Sequence, residues 1–229
     1  ALNRLNQLSK NQKPFFLAVG FVKPHLPFNA PKKYWDLYDH SKIQLPGNPN
    51  QPTNAPPKAK HAFGELRKFD GIPKNPLPVS DSMARKLIHG YYACVSYIDA
   101  QIGILLEGLD NLNLSENTIV FILGDHGWSL GEHGLWAKHS PFDLATRTPL
   151  IVRTPEHLSE TYKSGRAHGL VEFIDIFPTI MELVDLAELD QLDGKSFVEQ
   201  LKDPLSDGKE VVFPRWSIAE IIKTDQYSY

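Results

Sequence analysis

Cysteine is almost absent: Cys94 stands alone in 229 residues, which excludes an intrachain disulfide framework and any zinc site built from several thiolates. Its place in an apolar helical stretch reads as a packed thiol, so the redox compartment stays open. No apolar run reaches the length needed to cross a bilayer. The opening ALNRLNQLSKNQKPFF has neither an initiator methionine nor an apolar stretch with a cleavage pattern. An excess of either charge is also missing, since 24 Lys and Arg against 27 Asp and Glu leave a net charge of -3 and a pI near 6.3. No global basic field attracts nucleic acid, so an anionic partner must be met by cations placed locally.

What is present suits an ordinary globular chain. Hydrophobic residues make up 41% and charged residues 22%, enough for one substantial core, with one domain as the default. FFLAVGFV, from Phe15 to Val22, predicts a buried strand that runs into a loop at Lys23-Pro24. Tyr34 to Tyr38 predicts a short helix after Pro31. Eight prolines between Pro46 and Pro78 and little apolar periodicity predict a long irregular surface excursion, 46–78. Ser80 or Asp81 caps a helix whose apolar positions Met83, Leu87, Tyr91, Cys94, Val95, Ile98, Ile102, Leu105 and Leu109 recur every three or four residues. NTIVFILGD and TPLIVR read as buried, parallel-type strands, and IDIFPTIMELVDL as a helix that tolerates Pro178 in its first turn. KEVVFPRWSIAEIIKTDQYSY is strand-like to the last residue. The alternation predicts an α/β sandwich whose sheet is mostly parallel. Asn113-Leu114-Ser115 is a glycosylation acceptor triplet that has meaning only in a secretory setting.

Two polar clusters follow predicted strands, where open α/β sheets place their sites. The denser one, GDHGWSLGEHGLWAKHS, crowds Asp125, His126, Glu132, His133, Lys138 and His139 onto one loop. Asp125 with His126 suits a hard cation such as Ca²⁺ or Mg²⁺, while His126, His133 and His139 together suit zinc. Gly127, Gly131 and Gly134 permit positive φ and close backbone approach, and Trp128 and Trp136 are either walls of a partly dry pocket or core side chains. Lys138 can stabilise charge that develops on a leaving oxygen; Glu132 and His133 read as supporting structure. The other cluster, KPHLPF, holds His25 between prolines, as a general acid or an anion contact requires.

The segments FFLAVGFVKPHLPF, YYACVSYIDAQIGILLEGLD, VFILGDHGWSLGEHGLWAKHSPFDLATRTPLIV and LVEFIDIFPTIMELVDL together resemble the sulfatase family, closely its iduronate-2-sulfatase branch. The resemblance implies an alkaline-phosphatase-like α/β fold that hydrolyses sulfate esters with a formylglycine made from Cys or Ser and one divalent cation, usually Ca²⁺. It implies metal ligation by Asp125 and His126, sulfate contacts from Lys138 and His25, leaving-group protonation by His25, and a sugar site at Trp128. Lys23, Arg147 and Arg153 stand as cations for a substrate carboxylate. The family's nucleophile motif, Cys-x-Pro/Ala-x-Arg, has no match, because the one cysteine begins CVSYI. The expectation is therefore an internal piece, 1–229, of a catalytic domain truncated at both ends and inactive alone. The implied substrate is a sulfated glycan with 2-O-sulfated uronic acid, in a secreted, periplasmic or lysosomal enzyme. A phosphonate or phosphodiester hydrolase of the same superfold, and an inactive glycan-binding fragment, are the competing readings.

Overall fold

The computed structural model describes residues 1–229 except 12, 56, 60, 62, 75–77, 188 and 218, with position 58 described by its backbone alone. Parts of the Pro-rich segment, Pro56 and Pro76 among them, thus lie outside the described residues, as does Ile218 in the strand-like C-terminal stretch. In chain order the elements are helices α1 (Leu2–Ser9), α2 (Lys32–Trp35) and α3 (Asp81–Asn111), strands β1 (Val120–Leu123), β2 (Ser129–Leu130) and β3 (Trp136–Ala137), helix α4 (Asp143–Thr146), strand β4 (Leu150–Arg153), helices α5 (Pro155–Leu158), α6 (Ile176–Leu183) and α7 (Val198–Lys202), and strands β5 (Arg215–Trp216) and β6 (Ala219–Glu220).

These elements form two compact units. One comprises Ala1–Ser115 with His126–Arg147, the other Glu116–Asp125 with Thr148–Tyr229. The chain leaves the second unit after β1 and re-enters it before β4, so no linear boundary shows in the sequence.

In the first unit α3 is the organising element. Its N-terminus forms where Ser80, in an extended conformation, accepts a hydrogen bond from the Met83 N–H at 3.3 Å, with Asp81 in the first turn complementing the helix dipole. The buried face centres on Ala84, Ile88, Gly90, Ala93 and Cys94, while Val95, expected inside, is exposed. Small residues along that face let neighbouring chain approach closely; the larger apolar positions flank it. Trp35 stacks on His89 at 4.2 Å and accepts its Nε2 hydrogen bond through the backbone carbonyl at 2.9 Å. Tyr38 and Ser96 share a hydroxyl hydrogen bond of 2.6 Å.

The excursion 46–78 is irregular, as expected, with short 3₁₀ turns at Pro57–Ala59 and Leu66–Lys68. It is not confined to the surface, however. Phe63, Leu66 and Ile72 are buried in a core shared with Leu26, Ile43, Ala84, Ile88 and Trp136. Proline interrupts periodicity without preventing single apolar side chains from turning inward.

In the second unit β1 and β4 pair antiparallel, in the register Phe121↔Val152. The mixed α/β class that was expected is present, with small sheets whose strand pairs among the described residues are all antiparallel. Segment 124–149 leaves β1 and returns at the same end, closed by the Gly124 N–H on the Pro149 carbonyl at 3.2 Å. Its four-residue helix α4 is no crossover of the length that a parallel neighbour needs. Likewise Phe15 to Val22 forms no strand among the described residues, and Phe16 and Val22 are 81% and 78% exposed. β-forming side chains become a strand only where a backbone partner lies alongside.

The second unit is pinned by a buried polar network. Asp175 accepts from the Glu172 and Lys195 N–H groups, each at 2.8 Å, and from Lys209 Nζ at 2.7 Å. Glu172 binds the same ammonium at 2.7 Å and the Phe213 N–H at 2.9 Å. Burial opposes the Lys209 charge, but its bonds to Asp175 and Glu172 prevail and hold its pKa above the usual lysine value. Thr179 Oγ1 donates to the Asp175 carbonyl at 2.6 Å and accepts from the Phe197 N–H at 3.0 Å, which ties α6 to the α7 segment. Asp175→Ala would strand two backbone donors and half of the Lys209 pairing. The expected loss is about 3 kcal/mol or more in urea unfolding, and a loss below about 1 kcal/mol contradicts this account.

Candidate active site

The site grows from two loops of the first unit. Lys23–Phe28 lies against α3 at Gly90, where an added Cβ would stand 2.8 Å from the Phe28 carbonyl oxygen and 3.2 Å from the Trp35 ring. Only a glycine admits that approach. Lys23 Nζ donates to the carbonyls of His25, at 3.2 Å, and of Pro27, so it braces its own loop. His25 Nδ1 faces the Leu26 carbonyl at 3.0 Å, leaving Nε2 to point away from the backbone.

The second loop follows His126. Here the close approach is at Gly127, where a Cβ would sit 2.0 Å from the Leu144 carbonyl oxygen and 2.4 Å from that of Arg147. Gly131 and Gly134 take the positive φ values, 113° and 68°. The turn brings β2 beside β3, in the register Ser129↔Ala137. Buried Ala137 adopts φ 72°, a left-handed conformation that costs about 1 kcal/mol in an L-residue. Lys138 follows it directly.

The two loops meet at their side chains. Lys138 Nζ lies 2.9 Å from His25 Nε2 and 5.1 Å from the centroid of the Trp128 ring, within cation–π range. His25 meets Trp128 edge-on at 5.6 Å, and Phe28 does so at 5.9 Å. His126 is tilted on the same indole at 5.9 Å. Trp136, by contrast, is a core side chain.

A residue that the sequence left unremarked completes the group. Glu65 Oε1 is 2.8 Å from His25 Nε2 and 3.1 Å from Lys138 Nζ. The Leu26 carbonyl only accepts, so His25 Nδ1 carries a proton there, while Nε2 stands between an acceptor, Glu65 Oε1, and a donor, the Lys138 ammonium. Partial burial pushes the Glu65 carboxyl upward. The Lys138 hydrogen bond and the charges of Lys138 and His25 outweigh it and hold the pKa below its ordinary 4.5. Nothing in GELRKFD sets this glutamate apart from a solvated one, because its partners lie 40 and 73 residues away.

Other expectations resolve differently. His133 stacks on Phe142 at 5.1 Å and its N–H donates to the Asn48 carbonyl at 2.7 Å, and Glu132 accepts from the Leu130 N–H at 2.7 Å. The zinc cluster is therefore not assembled: no group of three or more metal-capable side chains converges among the described residues. Arg147 pairs with Asp143 at 3.9 Å beside α4. His139 lies 6.2 Å from His61, whose pKa is lowered by burial and then by the His139 charge.

For a divalent cation, Asp125 and His126 are consecutive in the chain. His126 Nδ1 lies 2.9 Å from the Gly127 carbonyl, the anchoring that commonly frees Nε2 for a metal. A carboxylate and an imidazole are both of ligand type for a divalent cation, and a hard cation requires about six oxygen-rich ligands. A formylglycine does not fit Cys94, which is fully buried with Sγ 3.5 Å from the Asn29 carbonyl. Burial pushes its thiol pKa up, away from reactivity.

The architecture is an alkaline-phosphatase-like α/β fold. The phosphonate monoester hydrolase of Silicibacter pomeroyi superposes on the chain with a TM-score of 0.75 at 23% identity, covering 97% of this chain and 50% of that one. The sequence matches the Sulfatase family over residues 1–186, and the chain belongs to that family. It is 37% identical over 214 residues to the iduronate 2-sulfatases of Mus musculus and Homo sapiens, over 81% of this chain. It spans 38% of the length of these curated relatives.

Two expectations follow. Gly90→Ala, which in an open mid-helix position stabilises by up to about 1 kcal/mol, should here destabilise by about 1–3 kcal/mol in thermal unfolding, since Phe28 must retreat. Glu65 contributes stability that is present above the ordinary carboxylate value of 4.5 and is lost as pH falls through the lowered one. Lys138→Met should flatten that acid limb in urea titrations, and an unchanged limb contradicts the pairing.

Proposed function

We propose that this chain carries the leaving-group side of a sulfuric ester hydrolase acting on a sulfated glycan, with 2-O-sulfated uronic acid as the substrate residue. The observation that carries the reading is the convergence of Lys138, His25 and Trp128 from two loops of a sulfatase-family chain. Kinship with iduronate 2-sulfatases supports the sugar and the sulfate position.

In this reading the sulfate oxygen nearest the scissile bond is met by Lys138, whose ammonium opposes the charge that develops as the S–O bond lengthens. His25 gives the leaving alkoxide its Nε2 proton. Trp128 offers the sugar an apolar ring face with one polar edge. Asp125 and His126 would hold a divalent cation, Ca²⁺ by the hardness of the carboxylate oxygen, and the bound ion supplies neutralisation of sulfate charge. The nucleophile is not assigned to Cys94. Lys23 and Arg147 remain the nominated contacts for a substrate carboxylate, and the implied compartment is secreted, periplasmic or lysosomal.

The test is turnover of an aryl sulfate and of a 2-O-sulfated uronate disaccharide by a competent enzyme that contains this chain. Lys138→Ala and His25→Ala should each lower kcat by about 10²-fold or more, while the 229 residues by themselves should turn over neither. Near-normal kcat in either variant removes that residue from the site. A phosphonate monoester hydrolysed in preference to both sulfates transfers the assignment to the phosphonate hydrolases.

A further inference from the structure

The Glu65 carboxylate occupies the space between Lys138 and His25. Glu65 Oε1 lies 2.8 Å from His25 Nε2 and accepts from Lys138 Nζ at 3.1 Å, and those two nitrogens are themselves 2.9 Å apart. An oxygen of a tetrahedral anion that accepted from the same pair would have to stand where Oε1 stands. Two oxygens cannot share the position, and two anions side by side in a half-buried site repel strongly.

The backbone of Glu65 does not yield readily. Leu66, the next residue, is 1% exposed in the core. The Arg67 guanidinium lies 3.9 Å over the Phe63 ring and donates to the Pro73 carbonyl, so both flanks are anchored. The side chain is held less firmly. Only Oε1 is engaged, whereas Oε2 is buried with no hydrogen-bond partner, a state that costs free energy relative to a fully bonded carboxylate. Rotation about the side-chain torsions releases Oε1 and lets Oε2 find water.

We propose that Glu65 is a tethered competitor: its carboxylate occupies the Lys138–His25 anion position in the free protein and must swing out before a sulfate group can bind. The proposal rests on reading Lys138 and His25 as the sulfate contacts. It adds a regulation of that site, since a resident carboxylate weakens the hold on inorganic sulfate and so speeds release of the product. The same carboxylate also supplies a counter-charge to the Lys138 ammonium, which lies 2.9 Å from His25 Nε2.

The experiment measures binding of inorganic sulfate to the 229-residue chain by calorimetry, in the natural sequence and in Glu65→Gln, Glu65→Ala, Lys138→Ala and the Glu65→Ala/Lys138→Ala double variant. Both single Glu65 variants should bind sulfate about tenfold more tightly, because a competing charge has gone. The alanine variant should gain at least as much as the glutamine one, which keeps an acceptor oxygen. Equal, weaker or absent sulfate binding in the two Glu65 variants overturns the proposal. If Lys138→Ala weakens binding while the Glu65 variants fail to tighten it, the competitor falls and the anion site stands. If Lys138→Ala changes nothing in either background, the site reading falls with it.

Discussion

The first unit depends on one close contact, the approach of the Phe28 main chain to α3 at Gly90. A 2.8 Å separation between the Phe28 oxygen and the position of a Cβ leaves no room for any side chain there. Everything on the KPHLPF loop inherits its place from that seat. Phe28 reaches Tyr91 and Trp128, Leu26 enters the core, and His25 is left with one nitrogen on the backbone and one turned toward Lys138. Gly127 does the same for the second loop by admitting the Leu144 and Arg147 carbonyls. Two glycines therefore set how closely the His25 and Lys138 loops approach.

Two lysine–carboxylate clusters show how similar chemistry serves different ends. Around Lys209 the polar atoms are matched: both Asp175 oxygens and both Glu172 oxygens have donors. Such a network stabilises because every desolvated group is compensated. Around Lys138 the matching is incomplete, with Glu65 Oε2, Trp128 Nε1 and Ser140 Oγ buried and without hydrogen-bond partners. Unmatched polar atoms beside a part-buried ammonium are donors and acceptors that a ligand or water can still satisfy.

Much of the local structure was legible in the residues. The α3 helix and the Ser80 cap are properties of neighbouring residues, and both appear where expected, although the buried face falls on Ala84, Ile88, Gly90 and Ala93 beside Cys94. Pro178 entered α6 in its first turn, and the glycines of the Asp125–Lys138 loop took up either positive φ or close approach. Strand pairing was not legible, because β-forming composition says nothing about which backbone lies alongside or in which direction. FFLAVGFV therefore read as a strand and forms none among the described residues, and β4 runs antiparallel to β1. The three histidines of one loop looked like a cluster because they are close in sequence, yet His133 is turned onto Phe142 by its own positive φ.

By itself the sequence determined the family, the helix caps, the glycine turns and the nomination of Lys138, His25 and Trp128, because each is carried by short-range spacing or by a contiguous motif. Tertiary structure alone decided that Glu65 joins them, that Lys23 braces its own loop and that the Pro-rich segment carries core residues. Those outcomes depend on which distant segments pack together, and a carboxylate 73 residues from its ammonium acquires its partner only when the backbone between them has folded.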